Sequence, residues 1–101
     1  MIIVRFKVRC QPGKAEQVLA ALKQVVPPSR ALLGVINFDI GRDITDPDAF
    51  IATEVFEDRA ALDRQESLSA VKQALGVLET SLADAPEAMI YHVASSELWG
   101  A

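Results

Sequence analysis

The strict alternation of residues 2–9 constrains this chain more than any other feature. Ile2, Val4, Phe6 and Val8 alternate with Ile3, Arg5, Lys7 and Arg9. Period-two alternation rich in β-branched and aromatic side chains predicts a strand with one buried face, and such a strand needs both neighbours and a cover. Gln11-Pro12-Gly13 breaks the pattern, and the period then changes. Ala15, Val18, Leu19, Leu22, Val25 and Val26 recur at helical spacing among polar residues, which predicts an amphipathic helix. Pro27-Pro28 is expected to stop that helix, because proline lacks a donor and disfavours helix in the residue before it. A second strand is read over residues 35–42, with Ile36, Phe38 and Ile40 on one face. Asp46-Pro47-Asp48 carries turn chemistry, and a third strand is expected over 49–57. Asp58 is placed as the N-cap of a short helix over 59–66. A further helix over 69–82 has Val71, Leu75, Leu78 and Leu82 as its stripe, and a last strand follows over 87–95.

The order β-α-β-β-α(α)-β is the split βαβ, or ferredoxin-like, pattern of an α+β fold. It puts strands 1 and 3 in the middle of an antiparallel sheet, strands 2 and 4 at the edges, and the helices on one face. A chain of 101 residues suits one such domain, read here as residues 1–96 with a tail over 97–101. Strands 2, 3 and 4 carry apolar residues at both parities: Val35 beside Ile36, Val55 beside Phe56, Met89 and Tyr91 beside Ile90. The sheet face away from the helices therefore needs a cover, and a homodimer through that face is expected. The formal net charge of −4 argues against nucleic acid as a partner. The single cysteine excludes an internal disulfide framework, and the single histidine argues against clustered-histidine metal sites. No apolar run is long enough for a membrane span. Met1-Ile2-Ile3-Val4-Arg5 lacks the basic-then-apolar order of a signal peptide, so a cytoplasmic location is expected.

Several segments, in order, resemble one family. They are Val8-Arg9-Cys10-Gln11-Pro12-Gly13-Lys14 leading into the first helix, Leu33-Gly34-Val35-Ile36-Asn37-Phe38 opening strand 2, and Asp46-Pro47 in the hairpin. Glu54-Val55-Phe56-Glu57-Asp58 at the end of strand 3 and Ala61-Leu62 in the next helix complete the set. On these residues the chain resembles the antibiotic biosynthesis monooxygenase superfamily of dimeric α+β barrels. The resemblance implies a cofactor-independent oxygenation of a small aromatic quinol, phenol or anthrone by O2, in a pocket between sheet and helices. It implies a substrate that supplies its own electrons, with no cofactor and no metal. The chain departs from the family where relatives often carry a helix histidine, here Gln65, and where they often carry tryptophan, here Phe56. Leu68-Ser69 stands where Ser-Pro commonly follows. Glutamine cannot serve as a general base near neutrality, although it can orient a hydroxyl.

The candidate proton handlers read from the sequence are His92 and Tyr91 on the last strand, with core packing of Tyr91 and an interface or solvent position for His92 as the other reading. They alternate, so only one can face the pocket. Asn37 and Gln65 are polar residues in apolar surroundings and are candidate substrate-binding groups, with structural hydrogen bonding as their other role. Phe38 and Phe56 are candidates to stack on an aromatic substrate or to fill the core. Arg5, Lys7 and Arg9 form a basic row expected to pair with carboxylates such as Glu54 on the neighbouring strand, or to line the dimer barrel. Cys10 is read as inert, and Trp99 as a docking group for the tail or a lid. The expected function is a monooxygenase-like protein; the alternative is a binding or interaction module on the same scaffold with no turnover.

Overall fold

A computed structural model describes residues 1–100. β1 (Ile2–Arg9), α1 (Ala15–Arg30), β2 (Val35–Asp43), β3 (Asp46–Phe56), α2 (Arg59–Glu66), α3 (Ser69–Glu79) and β4 (Glu87–His92) follow one another along the chain. The strands form one antiparallel sheet in the order β2-β3-β1-β4, with α1, α2 and α3 on one face. This is the ferredoxin-like α+β arrangement. Among the described residues no helix is long and apolar enough to cross a membrane.

The alternation of β1 is realised directly. Ile2, Val4 and Val8 are buried under the helices, while Arg5 and Arg9 are exposed on the other face. The antiparallel register carries that parity across the sheet, because directly paired residues share a face. The helix-facing row through Val4 is thus Ile90, Val4, Glu54 and Phe38, and the row through Phe6 is Ala88, Phe6, Ala52 and Ile40.

Several local expectations are corrected. First, α1 does not stop at Pro27-Pro28 but runs one turn further, to Arg30. The carbonyls that the prolines leave without donors belong to Lys23 and Gln24, both exposed, so water can satisfy them. The extra turn is pinned by tertiary contacts: Arg30 donates through Nε to the Phe38 carbonyl at 2.8 Å and pairs with Asp39 at 3.0 Å. Second, the hairpin turns at Ile44-Thr45, and Asp46-Pro47-Asp48 lies inside β3. Asp43 makes this turn by accepting from the Thr45 backbone N–H at 2.8 Å and from its hydroxyl at 2.7 Å. Those bonds hold the Asp43 carboxyl below its usual range.

Third, a register shift between Val35 and Asn37 bulges β2 at Ile36. Val35, not Ile36, then packs against the core, and Ile36 is turned outward. Fourth, Glu54 does not pair with the basic row. It sits opposite Val4 and so faces the helices, whereas Lys7 pairs with Asp43 at 3.5 Å and Arg9 donates through Nε to Asp84 at 2.8 Å. The last helix is also shorter than expected, ending at Glu79. Leu82 instead forms an isolated bridge with Cys10. Leu98 and Trp99 are exposed, so within this chain the tail tryptophan neither docks nor closes the cavity.

Asp58 caps α2 as expected, accepting from the Ala61 N–H at 2.9 Å. The start of α2 is held against the α1–β2 loop at Gly34, whose φ of 86° lies in the left-handed region. A Cβ there would stand 2.7 Å from Ala61 Cβ and 3.0 Å from the Arg64 guanidinium. Close packing of the loop on α2 thus requires glycine for both conformation and space. Gly34→Ala is expected to destabilise the fold by about 2 kcal/mol or more, read as a lower urea midpoint at unchanged slope.

Candidate functional site

A cavity of about 520 Å³ lies between the sheet and the helices. Its floor is the two cross-strand rows through Val4 and Phe6, and every residue of those rows lines it. Its roof follows from helical spacing. Leu22 and Val25 come from α1, Leu62, Gln65 and Glu66 from α2, and the stripe containing Val71, Ala74 and Leu78 from α3. No helix covers β4, whose six residues are all exposed. The cavity therefore opens between α3 and β4, beside Leu75 and Ile90, which are 50% and 39% exposed. Lys72 and Glu66 sit at this mouth and are themselves exposed.

Glu54 is the one ionisable side chain of the floor. Val4 and Phe38 flank it, the residue is 9% exposed and lines the cavity, and among the described residues no hydrogen bond or ion pair reaches its carboxyl. Burial, reinforced by the Glu66 carboxylate, pushes its pKa up to about 7. A carboxyl that changes state near neutrality in an apolar cavity is suited to accept and return a proton. The sequence already held the signal for it. Phe50, Ala52, Glu54 and Phe56 share one parity on β3, so a charged residue there had to stand in an apolar face.

Gln65 is 4% exposed and lines the roof. Its Nε2 donates to Ser29 Oγ at 3.1 Å, and Ser29 Oγ donates to the Val25 carbonyl at 2.7 Å. Of the other residues singled out from sequence, only Phe38 joins Glu54 and Gln65 on the cavity. Phe56 is fully buried one row further along, with Ile2 and Val35, and is a core residue. His92 belongs to that same row, opposite Ile2, and is exposed at the end of the edge strand rather than lining the cavity. Tyr91 and Asn37 do not reach the site at all. They pair with Ile3 and Val55 in a row on the other face of the sheet.

Cys10 is buried, and burial followed by the Asp48 carboxylate raises its thiol pKa, which disfavours the reactive thiolate. Among the described residues no three His, Cys, Asp or Glu side chains converge in a way that could hold a metal ion.

The model of the antibiotic biosynthesis monooxygenase family matches residues 1–76. The chain belongs to that family. Its fold is shared with a crystal structure of an antibiotic biosynthesis monooxygenase, at 20% identity and a TM-score of 0.85, over 94% of this chain and 100% of the other. A protein from Pseudomonas aeruginosa superposes with a TM-score of 0.84 at 24% identity, over 93% and 94% of the two chains. An uncharacterized protein of Synechocystis is 28% identical over 96 residues, which are 95% of this chain. The chain spans 65% of that relative's length.

The raised Glu54 pKa has a consequence for stability. The native state keeps this proton up to about pH 7, whereas the unfolded chain releases it near 4.5. Between those values the native state binds more protons, so the stabilising contribution is fully present below the lower value and is lost as pH rises through the upper one. The loss amounts to roughly 3 kcal/mol. In Glu54→Gln this decline should flatten, read from urea unfolding across the same pH range.

Proposed function

We propose that this protein is a cofactor-independent monooxygenase of the antibiotic biosynthesis type, acting on a small aromatic quinol, phenol or anthrone. The observation that carries this reading is the lone carboxyl of Glu54, unpaired and poised near neutrality in the floor of an apolar cavity. The cavity's 520 Å³ suits a fused aromatic ring system, and its aliphatic walls with Phe6 and Phe38 suit an apolar one.

In this reading Glu54 takes the proton of a substrate hydroxyl or activated C–H. The resulting phenolate or carbanion passes an electron to O2, and recombination forms the C–O bond. For a hydroquinone with a free ring position, one ring C–H becomes C–OH and the two original hydroxyls become carbonyls. The hydrogens of those two hydroxyls leave with the second oxygen atom as water. The substrate supplies every electron, and Glu54 ends as it began. Exclusion of water strengthens the role of the carboxyl, since in the apolar site its charge is costly until a proton arrives.

The open sheet face supports a homodimer. Met89, Tyr91 and Ile36 are exposed there or at its edge at 57%, 49% and 47%, an apolar surface that a second copy would bury. Tyr91 and Asn37 are assigned to that interface, and His92, at the strand end, to neither site. A mass of one chain at micromolar concentration by light scattering would remove the dimer from this reading.

Oxygen uptake with a panel of reduced naphthoquinones and anthrones tests the activity. Consumption above the buffer rate is expected, and Glu54→Gln should lower kcat by about 10²–10⁴-fold with little change in KM. Uptake that never exceeds the buffer rate with any of them leaves the binding-module reading in place instead.

A further inference from the structure

Gln65 is nine-tenths buried, lines the cavity roof, and uses only one end of its amide on the protein. The orientation of that amide is fixed by hydrogen-bond direction. The Val25 carbonyl can only accept, so the single Ser29 hydroxyl proton is committed to it at 2.7 Å. Ser29 Oγ is then left as an acceptor, and Gln65 must turn its NH2 group toward it, at 3.1 Å. Ser29 is fully buried and sits in the last turn of α1, the turn that continues past Pro27-Pro28. The carbonyl oxygen Oε1 is thereby turned away from Ser29, on the side of the cavity that Gln65 lines, and among the described residues no donor reaches it. Accessible from the cavity and unengaged within the protein, that oxygen is free to accept from a ligand's donor.

We propose that Gln65 is a specificity-determining residue and Ser29 its positioning residue: together they present a fixed acceptor that selects a substrate hydroxyl over a carbonyl. This rests on reading the cavity as a site for hydroxylated aromatics. It names the oxidation state the site prefers. A quinol offers an O–H to Gln65 Oε1, whereas the corresponding quinone offers only lone pairs to another lone pair. The same device favours product release, because oxidation converts the donor that Gln65 holds into a carbonyl that it repels. Glutamine is suited to this where histidine is not, since an imidazole could switch between donor and acceptor with its tautomer.

The test is equilibrium binding without turnover. The probes are 2,3-dimethyl-1,4-naphthohydroquinone and its quinone, which has no free ring position for thiol addition. Each is titrated anaerobically by calorimetry, at a pH well below the Glu54 pKa of about 7, where its protonated carboxyl can meet a hydroxyl or a carbonyl and does not itself discriminate. The native protein should prefer the hydroquinone by about tenfold or more, and Gln65→Met should bring the ratio close to one. Ser29→Ala should also collapse the ratio, but by strengthening quinone binding, because the freed amide can rotate and offer its NH2 to the carbonyl. A merely structural role for Ser29 would weaken both ligands together. The ratio of two affinities does not depend on the fraction of folded variant, so partial unfolding cannot mimic the result. Equal binding of the two forms by the native protein, or a preference that survives in Gln65→Met, overturns the proposal while leaving the monooxygenase reading intact. Saturable binding of neither form overturns both. Absence of oxygen uptake alongside a clear hydroquinone preference overturns only the catalytic reading.

Discussion

The pairing of Val4 with Glu54 in the middle of the sheet is the constraint on which the site depends. β1 and β3 are the two central strands, and their antiparallel register decides which side chains of all four strands look toward the helices. With Val4 turned inward by the alternation of β1, Glu54 is carried to the same face, and Phe38 and Ile90 are aligned beside them. A slip of one residue would send the carboxyl to the other face, near Arg5, and leave an apolar cavity with no proton acceptor. Register is therefore both the folding code and the source of the chemistry.

That placement opposes stability. An apolar residue at position 54 would complete the row between Val4 and Phe38 without a desolvation penalty, and no buried partner offsets the carboxyl's charge. The protein limits the cost by keeping the group protonated through acidic and near-neutral pH. The same physics puts the group's pKa near neutrality, where a carboxyl can both hold and release a proton. The roof is arranged differently. Gln65 carries no charge, and its energy depends on direction: Ser29, held by the Val25 carbonyl, fixes which end of the amide faces the cavity. The floor can exchange a proton, and the roof can only recognise one.

The last turn of α1 and the loop after it connect these parts. Pro27 and Pro28 remove two backbone donors, yet helix geometry persists because Arg30 reaches the Phe38 carbonyl and Asp39 on β2. The turn so preserved holds Ser29 against Gln65. Gly34 then lets the chain pass close to Ala61 and Arg64, which seats α2 and with it the position of Gln65. Two features that read locally as breakers thus serve to hold the roof together.

Much of the fold was legible in the amino-acid order. The alternation of β1, the change of period at Ala15, the cap at Asp58 and the order of elements are local signals, and local sterics and hydrogen bonding enforce them whatever the rest of the chain does. The family segments point to the same scaffold, and Phe38 and Gln65, candidates by residue type, line the cavity. Sequence and structure part where a local signal loses to a tertiary one. The prolines were outweighed by the contacts of Arg30, and the Asx turn of Asp43 displaced the turn expected at Pro47. The bulge at Ile36 moved the inward position to Val35. His92 and Tyr91 have the chemistry of proton handlers, but β4 is an edge strand that no helix covers, and its register leaves one at the sheet's end and the other on the opposite face. Strand adjacency suggests Glu54 as a partner for the basic row, although its parity with Ala52 and Phe56 already places it on the helix side. The sequence by itself determined the elements, their order and the inventory of proton-handling groups, because those depend on short-range periodicity and residue type. Only the tertiary structure decided which carboxyl is buried and which end of an amide faces the cavity, because burial and hydrogen-bond direction arise from residues brought together across the sheet and between helices.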